Sequence, residues 1–396
     1  MKSINHACPA CGSAEMHVFY KVANVPVNSV LLVTSREEAL NFQTGDITLA
    51  VCPACGFISN ITFDEVLTQY TARYEATQGY SPTFNKFHRE LAQDLIDRYD
   101  LHGKDIIEIG CDKGDFITML CEMGDNRGTG FDPAYVPGRH PSPAADRLTF
   151  IPDFYSEKYA NYHADFICCK MTLEHIPDVG DFIATVRRSI GERGDTIVFF
   201  QIPNARYVLG DIAFWDIYYE HCSYFTKGSL ARLFRANGFE VRDLWTAYDD
   251  QYLMIEARPT DGASIAESLP DEETPVQTME LVEYFVERYE EKHDEWRHEL
   301  ACIQSAGRKA VLWGGGSKGV AFLTTLNQTL ADIACAVDIN PIKTGTFMAG
   351  TGQEIVAPSF LKTYRPDVVI IMNPVYREEI SRDLEAMGLS PEIRTL

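Results

Sequence analysis

The sequence predicts an α/β protein of three units: a small cysteine-bound module, a doubly wound α/β domain and a smaller α/β unit. Three observations predict it. Two Cys-x-x-Cys pairs stand at Cys8/Cys11 and Cys52/Cys55. Apolar strands alternate with helical stretches up to about residue 260, and the alternation resumes near residue 310. Each alternating region holds one glycine turn that follows a strand and opens a helix.

The bulk numbers agree. A chain of 396 residues exceeds one core and divides into two or three domains. A net charge of −22 argues against nucleic acid as a partner, because phosphate binding depends on clustered Lys and Arg. No apolar stretch approaches the roughly 20 residues that span a bilayer, which excludes a membrane partner of that kind. The opening MKSINHACPACG has no apolar run and does not read as a signal peptide. The cysteines outside the two pairs (Cys111, Cys121, Cys168, Cys169, Cys222, Cys302 and Cys335) fall in apolar segments. They are expected to be buried free thiols in a reducing, cytoplasmic setting.

The first unit is expected over 1–65. Each Cys-x-x-Cys folds two thiolates onto one tight turn, and two such turns complete a tetrahedral zinc site. Cys8, Cys11, Cys52 and Cys55 leave no open position, so the metal is expected to be structural. About forty residues separate the pairs, and a small β-rich insert is expected between them.

The second unit is expected over 66–260. Ser81-Pro82 is an N-cap and first-turn pair, and Phe84, Phe87, Leu91, Leu95 and Tyr99 recur at helical spacing. A strand, the glycine turn Glu108-Ile-Gly110-Cys-Asp112-Lys-Gly114, a helix and a second strand ending at Asp132 follow. Buried strands are read at 164–171 and 195–203, and a late pair, "FEVRDLWTAY" and "QYLMIEARP", closes the domain. The third unit, 261–396, opens with a charged connector helix over 274–305. About three strands are evident after it, with a final helix from about Tyr376.

The two glycine turns need not bind the same ligand. Gly314-x-Gly316-x-x-Gly319, with Asp338 nineteen residues further on, fits the dinucleotide fingerprint and makes NAD one candidate, but the unit is short and lacks the second half of a dinucleotide fold. The turn at Glu108–Gly114 resembles the first motif of class I S-adenosylmethionine (SAM) methyltransferases, with Asp112 in place of a central glycine. Asp tolerates the left-handed conformation that such a turn demands. The resemblance implies a class I methyltransferase fold that binds SAM through Glu108, Gly110 and Gly114, with Asp132 on the ribose and Asp153 and Phe154 near the adenine. "MTLEHIPD", with Glu174 and His175, matches the segment after that family's fourth strand.

A third stretch completes the pattern. "FWDIYYEHCSYF", 214–225, crowds six aromatic rings around Glu220 and His221. Its second half is similar to the Tyr-His-Glu-His-x-Ser-Tyr-Phe of sugar C-methyltransferases in deoxysugar biosynthesis. "WGGGSKG", "DINPIKTG" and "NPVYREEI" look like the C-terminal signatures of the same family. That resemblance spans the chain and implies a zinc module, a SAM domain and a Rossmann-like unit that walls the substrate cleft rather than holding NAD. The implied acceptor is a small molecule, a nucleotide-linked keto sugar. Two departures, Tyr219 for the family's His and Met171 where Asn is common, are expected to lie near that acceptor.

Carbon methylation beside a ketone needs a base for the α-proton and a donor for the enolate oxygen. His221 is the expected base, Tyr218 the donor, and Glu220 a group that orients His221 or binds the sugar. His175 is a second candidate base or ligand, and the crowded rings are expected to exclude water. An O-methyltransferase of the same fold, with His221 deprotonating a hydroxyl, is the alternative enzyme. A non-catalytic nucleotide-binding scaffold is the alternative of a different class.

Overall fold

The structure, a computed structural model, describes residues 1–139, 141–260 and 268–396. The expected start of the third unit at residue 261 lies outside the described residues.

The middle of the chain forms a seven-stranded sheet. Its strands are β1 (Asp105–Ile109), β2 (Arg127–Phe131), β3 (Leu148–Ile151), β4 (Phe166–Lys170), β5 (Ile197–Pro203), β6 (Phe239–Ala247) and β7 (Tyr252–Pro259). They lie in the order β6-β7-β5-β4-β1-β2-β3. β7 runs antiparallel to both of its neighbours, while β1 pairs parallel with β2 and β4. "FICCK" and "IVFFQIP" read as continuous apolar runs because helices cover both faces of this sheet. The chain switches sides between β1 and β4, so their carboxyl ends diverge into a crevice where ligands of such sheets bind.

Helix Pro82–Tyr99 begins as its sequence demands, with the Ser81 hydroxyl accepting from the Phe84 amide at 3.2 Å and Pro82 in the first turn. Helix Asp115–Gly124 has no side-chain cap of its own. The buried Glu108 carboxylate supplies one from β1, accepting the Ile117 amide at 3.0 Å.

The N-terminal sheet is antiparallel, in the order Lys2–Asn5, Glu15–Pro26, Thr44–Val51, Ile58–Asn60 and Ser223–Tyr224. Its last strand comes from the aromatic stretch, which therefore ties the first unit to the second. The C-terminal sheet has five parallel strands where the sequence predicts about three. Their order is Glu354–Val356, Cys335–Val337, Ala310–Trp313, Val368–Ile371 and Glu392–Thr395. The two edge strands escape sequence reading because one is only three residues long and the other, "EIRT", is polar and half-buried.

The connector is one helix, Pro275–Ser305, opened by a reciprocal Thr274/Gln277 capping box. Its first half packs Val282 and Phe285 into the N-terminal core, and its second half packs Trp296, Leu300 and Ile303 into the C-terminal core. One correction concerns the thiols: Cys302 is exposed, whereas the other six cysteines outside the pairs are buried.

Candidate active site

All three units meet at a cavity of about 540 Å³ that opens at the carboxyl ends of β1, β2 and β4. Gly110 and Asp132 line one part of it, Tyr218 and His221 another, and the Gly314–Gly319 turn a third.

The first part begins with a turn that needs its glycines. Gly110 has φ +71° and donates its amide to the Phe131 carbonyl at 2.8 Å. A Cβ there would stand 1.9 Å from the Thr172 hydroxyl, which no packing accommodates. Gly114, φ +85°, has the Phe150 ring where a Cβ would be. Asp112 takes φ +47°, the left-handed conformation expected of it. Its amide donates to Asp132 Oδ2 at 2.8 Å, while Asp132 Oδ1 accepts from the Ala134 amide at 2.7 Å. Asp132 is thus fixed at the end of β2, and burial raises its carboxyl above the usual range. Asp153 is held by Lys158 and by the Tyr159 hydroxyl, which keep its carboxyl low, and Phe154 beside it is 60% exposed at the cavity wall. These residues form a glycine-edged pocket with an acid at the next strand end, a donor set that suits an adenosine ribose. Glu108 lines the same cavity, but its carboxylate is engaged in capping the helix.

The second part corrects the reading of the aromatic stretch. Phe214 and Trp215 are buried in the C-terminal core, and the Phe214 ring stacks on Phe322 at 6.3 Å. Tyr219 and Tyr224 belong to the N-terminal core, and Phe225 to the core beneath the central sheet. The crowding therefore glues three units together, because one short segment crosses all their seams. Only Asp216, Tyr218 and His221 of this stretch line the cavity.

Glu220 is likewise placed elsewhere than expected. Its carboxylate accepts from the Ser29 amide at 2.7 Å and from the Ser29 hydroxyl, which also bonds Ser317 at 2.7 Å. It latches the N-terminal unit to the third unit and neither lines the cavity nor orients the His221 ring. Tyr219 also faces away from the cavity: its hydroxyl oxygen accepts the Asp64 amide at 2.9 Å, and its ring lies over Gly45. Met171 does line the cavity, and it does so with φ +51°.

His221 is buried, with the Tyr218 ring 4.0 Å away and the His175 ring 4.9 Å away. Burial, then the neighbouring His175 and Lys318, hold its imidazole well below the ordinary range, so it is neutral at pH 7. His175 sits in the turn after β4 and uses Nδ1 on the Glu220 carbonyl at 3.0 Å. The Tyr70 hydroxyl lies 3.1 Å from the same nitrogen, so Nδ1 is held between a carbonyl that only accepts and a hydroxyl that can do either. Burial takes this ring down to about 4.

The third part of the wall brings cations. Lys318 bonds Asp216 at 2.6 Å and Gln251 at 3.0 Å. Lys343 lies 3.3 Å from both Asp338 Oδ2 and the Gly315 carbonyl, and the Gly315 amide donates to the same Asp338 oxygen at 3.1 Å. The fingerprint acid thus carries a lysine as well as its own turn, whereas the side chain of Asp132 is met by backbone amides alone. Sequence reasoning missed Lys318, Asp216 and the pair Tyr70 and Tyr74 as wall residues. The run "QYTARYEATQGY" offered a signal, three tyrosines in a segment with no helical or strand periodicity.

Away from the cavity, Cys8, Cys11, Cys52 and Cys55 bring their sulfurs within 4.8 Å of one another. The Cys8–Cys55 and Cys11–Cys52 separations are 3.7 and 3.6 Å. Four thiolates around one zinc at 2.3 Å require about 3.8 Å between sulfurs, so the cluster fits that ion. The two Cys-Pro-Ala-Cys turns pack on the central domain, where the Gly180 amide donates to Pro9 and Arg232 to the Cys55 carbonyl.

Comparison with known proteins gives two family models. Residues 84–244 match a methyltransferase domain, and residues 253–389 match a C-methyltransferase C-terminal domain. The second match begins inside β7, which belongs to the central sheet. The C-methyltransferase NovU of Streptomyces niveus is 24% identical over 390 residues, covering 94% of this chain and 90% of that protein. Among solved structures, the 1,6-didemethyltoxoflavin-N1-methyltransferase of Burkholderia thailandensis is 19% identical, covering 46% of this chain and 83% of its own, with a TM-score of 0.36. The magnesium protoporphyrin IX methyltransferase of Synechocystis is 13% identical, covering 45% of this chain and 84% of its own, with a TM-score of 0.34.

Proposed function

Because the chain belongs to the SAM-dependent methyltransferases that end in a C-methyltransferase C-terminal domain, we propose that it methylates a carbon beside the ketone of a nucleotide-linked keto-deoxysugar. The observation that carries this reading is a single cavity holding a neutral buried histidine, a tyrosine and the glycine turn with its acid. SAM supplies an electrophilic methyl group when bound. Gly110 gives it close backbone approach and Asp132 holds its ribose. His221 takes the α-proton of the acceptor, and the Tyr218 hydroxyl donates to the enolate oxygen as charge develops there. Four cysteines hold one structural zinc.

Two measurements test the reading. With S-adenosylhomocysteine bound, the enzyme should wash solvent deuterium into the acceptor's α-position. His221→Ala should lose ~10²–10⁴-fold in both exchange and transfer while still binding SAM. A methylated product that keeps its α-proton would instead make oxygen the acceptor.

A further inference from the structure

Two titratable groups in the cavity face each other without partners. Glu174 is 1% exposed, and neither carboxylate oxygen has a hydrogen bond among the described residues. Only its main chain is engaged, the carbonyl accepting the Cys222 amide at 2.9 Å. His221 stands opposite, with Nε2 4.0 Å from Glu174 Oε1 and no hydrogen bond to either ring nitrogen among the described residues. A buried carboxylate is retained without a partner at a considerable cost unless it acts on something that arrives. His175 does not relieve it through Nδ1, which is committed to the Glu220 carbonyl.

Proton abstraction makes the need plain. It places a positive charge on a ring already surrounded by His175 and Lys318, both of which disfavour that charge. We propose that Glu174 is the positioning residue for His221: its carboxylate takes the hydrogen bond of the Nε2 proton, leaves Nδ1 as the accepting nitrogen, and gives the imidazolium its counter-charge. This rests on the reading of His221 as the base. In the step, the acceptor's α-C–H bond breaks, its electron pair remains as the enolate, and the proton joins Nδ1. With Glu174 ionised, the Glu174–His221 pair passes from one negative charge to none; burial defers that ionisation to about pH 8, so exchange should rise as pH climbs toward that value. Without the carboxylate, the site would pass from neutral to cationic beside Lys318. The buried aspartate of a Ser-His-Asp triad holds its imidazole in the same way.

The test needs no acceptor. In protein labelled with 15N-histidine and bound to S-adenosylhomocysteine, the His221 resonance is the one lost in His221→Ala. It should report a protonated Nε2 in the wild type and lose that tautomer in Glu174→Gln. With a thymidine-diphosphate-linked 4-keto-6-deoxyhexose as probe, Glu174→Gln should lower kcat by ~10²-fold or more, with KM and S-adenosylhomocysteine affinity within about twofold. If Glu174→Gln fails to fold, Glu174→Asp should keep the Nε2–H tautomer with an intermediate kcat. An unchanged tautomer and kcat in Glu174→Gln, beside an inactive His221→Ala, would sink the role of Glu174 and leave the base intact. Full turnover in His221→Ala would sink the base reading itself. A second equivalent of zinc or manganese that is lost in Glu174→Gln would overturn the proposal in favour of a metal held by Glu174, His175 and His221.

Discussion

Met171 adopts φ +51° between β4 and the turn that carries Glu174 and His175, a conformation that long side chains rarely use. Its amide donates to the Gln201 carbonyl at 2.7 Å, so pairing with β5 holds the backbone there. Asn visits this region at lower cost. Met171→Asn should therefore raise the midpoint of urea unfolding, by about 1 kcal/mol in stability. A lowered midpoint would mean that the thioether's packing outweighs the strain. The buried carboxylates carry a second expectation at this scale. Burial pushes Glu174 up to about 8 and Glu220 up to about 7, against a usual value of 4.5. Both hold their protons longer in the folded protein, so the stability they contribute is lost as pH rises toward those values. His175 and His221 are shifted the other way, and their linked change in stability lies below pH ~6.5. With zinc saturating, thermal stability should fall between pH 6.5 and about 8, and Glu174→Gln should flatten that slope. A flat wild-type profile would contradict the burial of these groups.

At the scale of elements, the aromatic segment is a seam. Ser223–Tyr224 completes the N-terminal sheet, while Phe214 and Trp215 enter the core of the C-terminal unit. Tyr219 serves this seam, so its departure from the family pattern lies outside the cavity lining. Tyr219→Phe should cost about 1 kcal/mol, the worth of one acceptor for the Asp64 amide, and leave kcat and KM unchanged. A changed KM would bring the residue back into the site. Gly45→Ala should be worse, because a Cβ would stand 2.4 Å from the Tyr219 ring, and overpacking of this kind costs roughly 1–3 kcal/mol.

At the scale of the whole molecule, the four-cysteine cluster proposed to hold zinc and the central sheet share one core. Cys8, Cys52 and Cys55 are buried with Ile107, Ile109 and Phe200. Removing the metal with a strong chelator should therefore abolish SAM binding in the same transition that melts the central domain, followed by calorimetry. A chelated protein that binds SAM with full affinity would make the module a separable appendage. The C-terminal unit should not bind NADH, since Asp338 and Lys343 fill its glycine turn from within. A calorimetric NADH titration with a saturating heat would overturn that reading.

Local chemistry was legible in the sequence wherever a residue type answers to its neighbours in the chain. The Cys-x-x-Cys pairs, the left-handed Asp112, the Ser81-Pro82 helix start and the alternation of strands and helices depend on near neighbours or on period. The order of units and the sites of the two glycine turns follow from them. The directions of side chains at the seams were decided only by the tertiary structure. Glu220 and His221 are adjacent in the chain, yet one carboxylate reaches Ser29 while the other side chain enters the cavity. A tight turn, closed by the His221 amide on the Tyr218 carbonyl at 3.1 Å, sends the two side chains apart, and what waits on each side is set by units nearly two hundred residues away. For the same reason Glu174 was legible only as part of a motif, because its lack of a partner, and His221 at 4.0 Å, exist only once the sheet and the aromatic seam have closed around it.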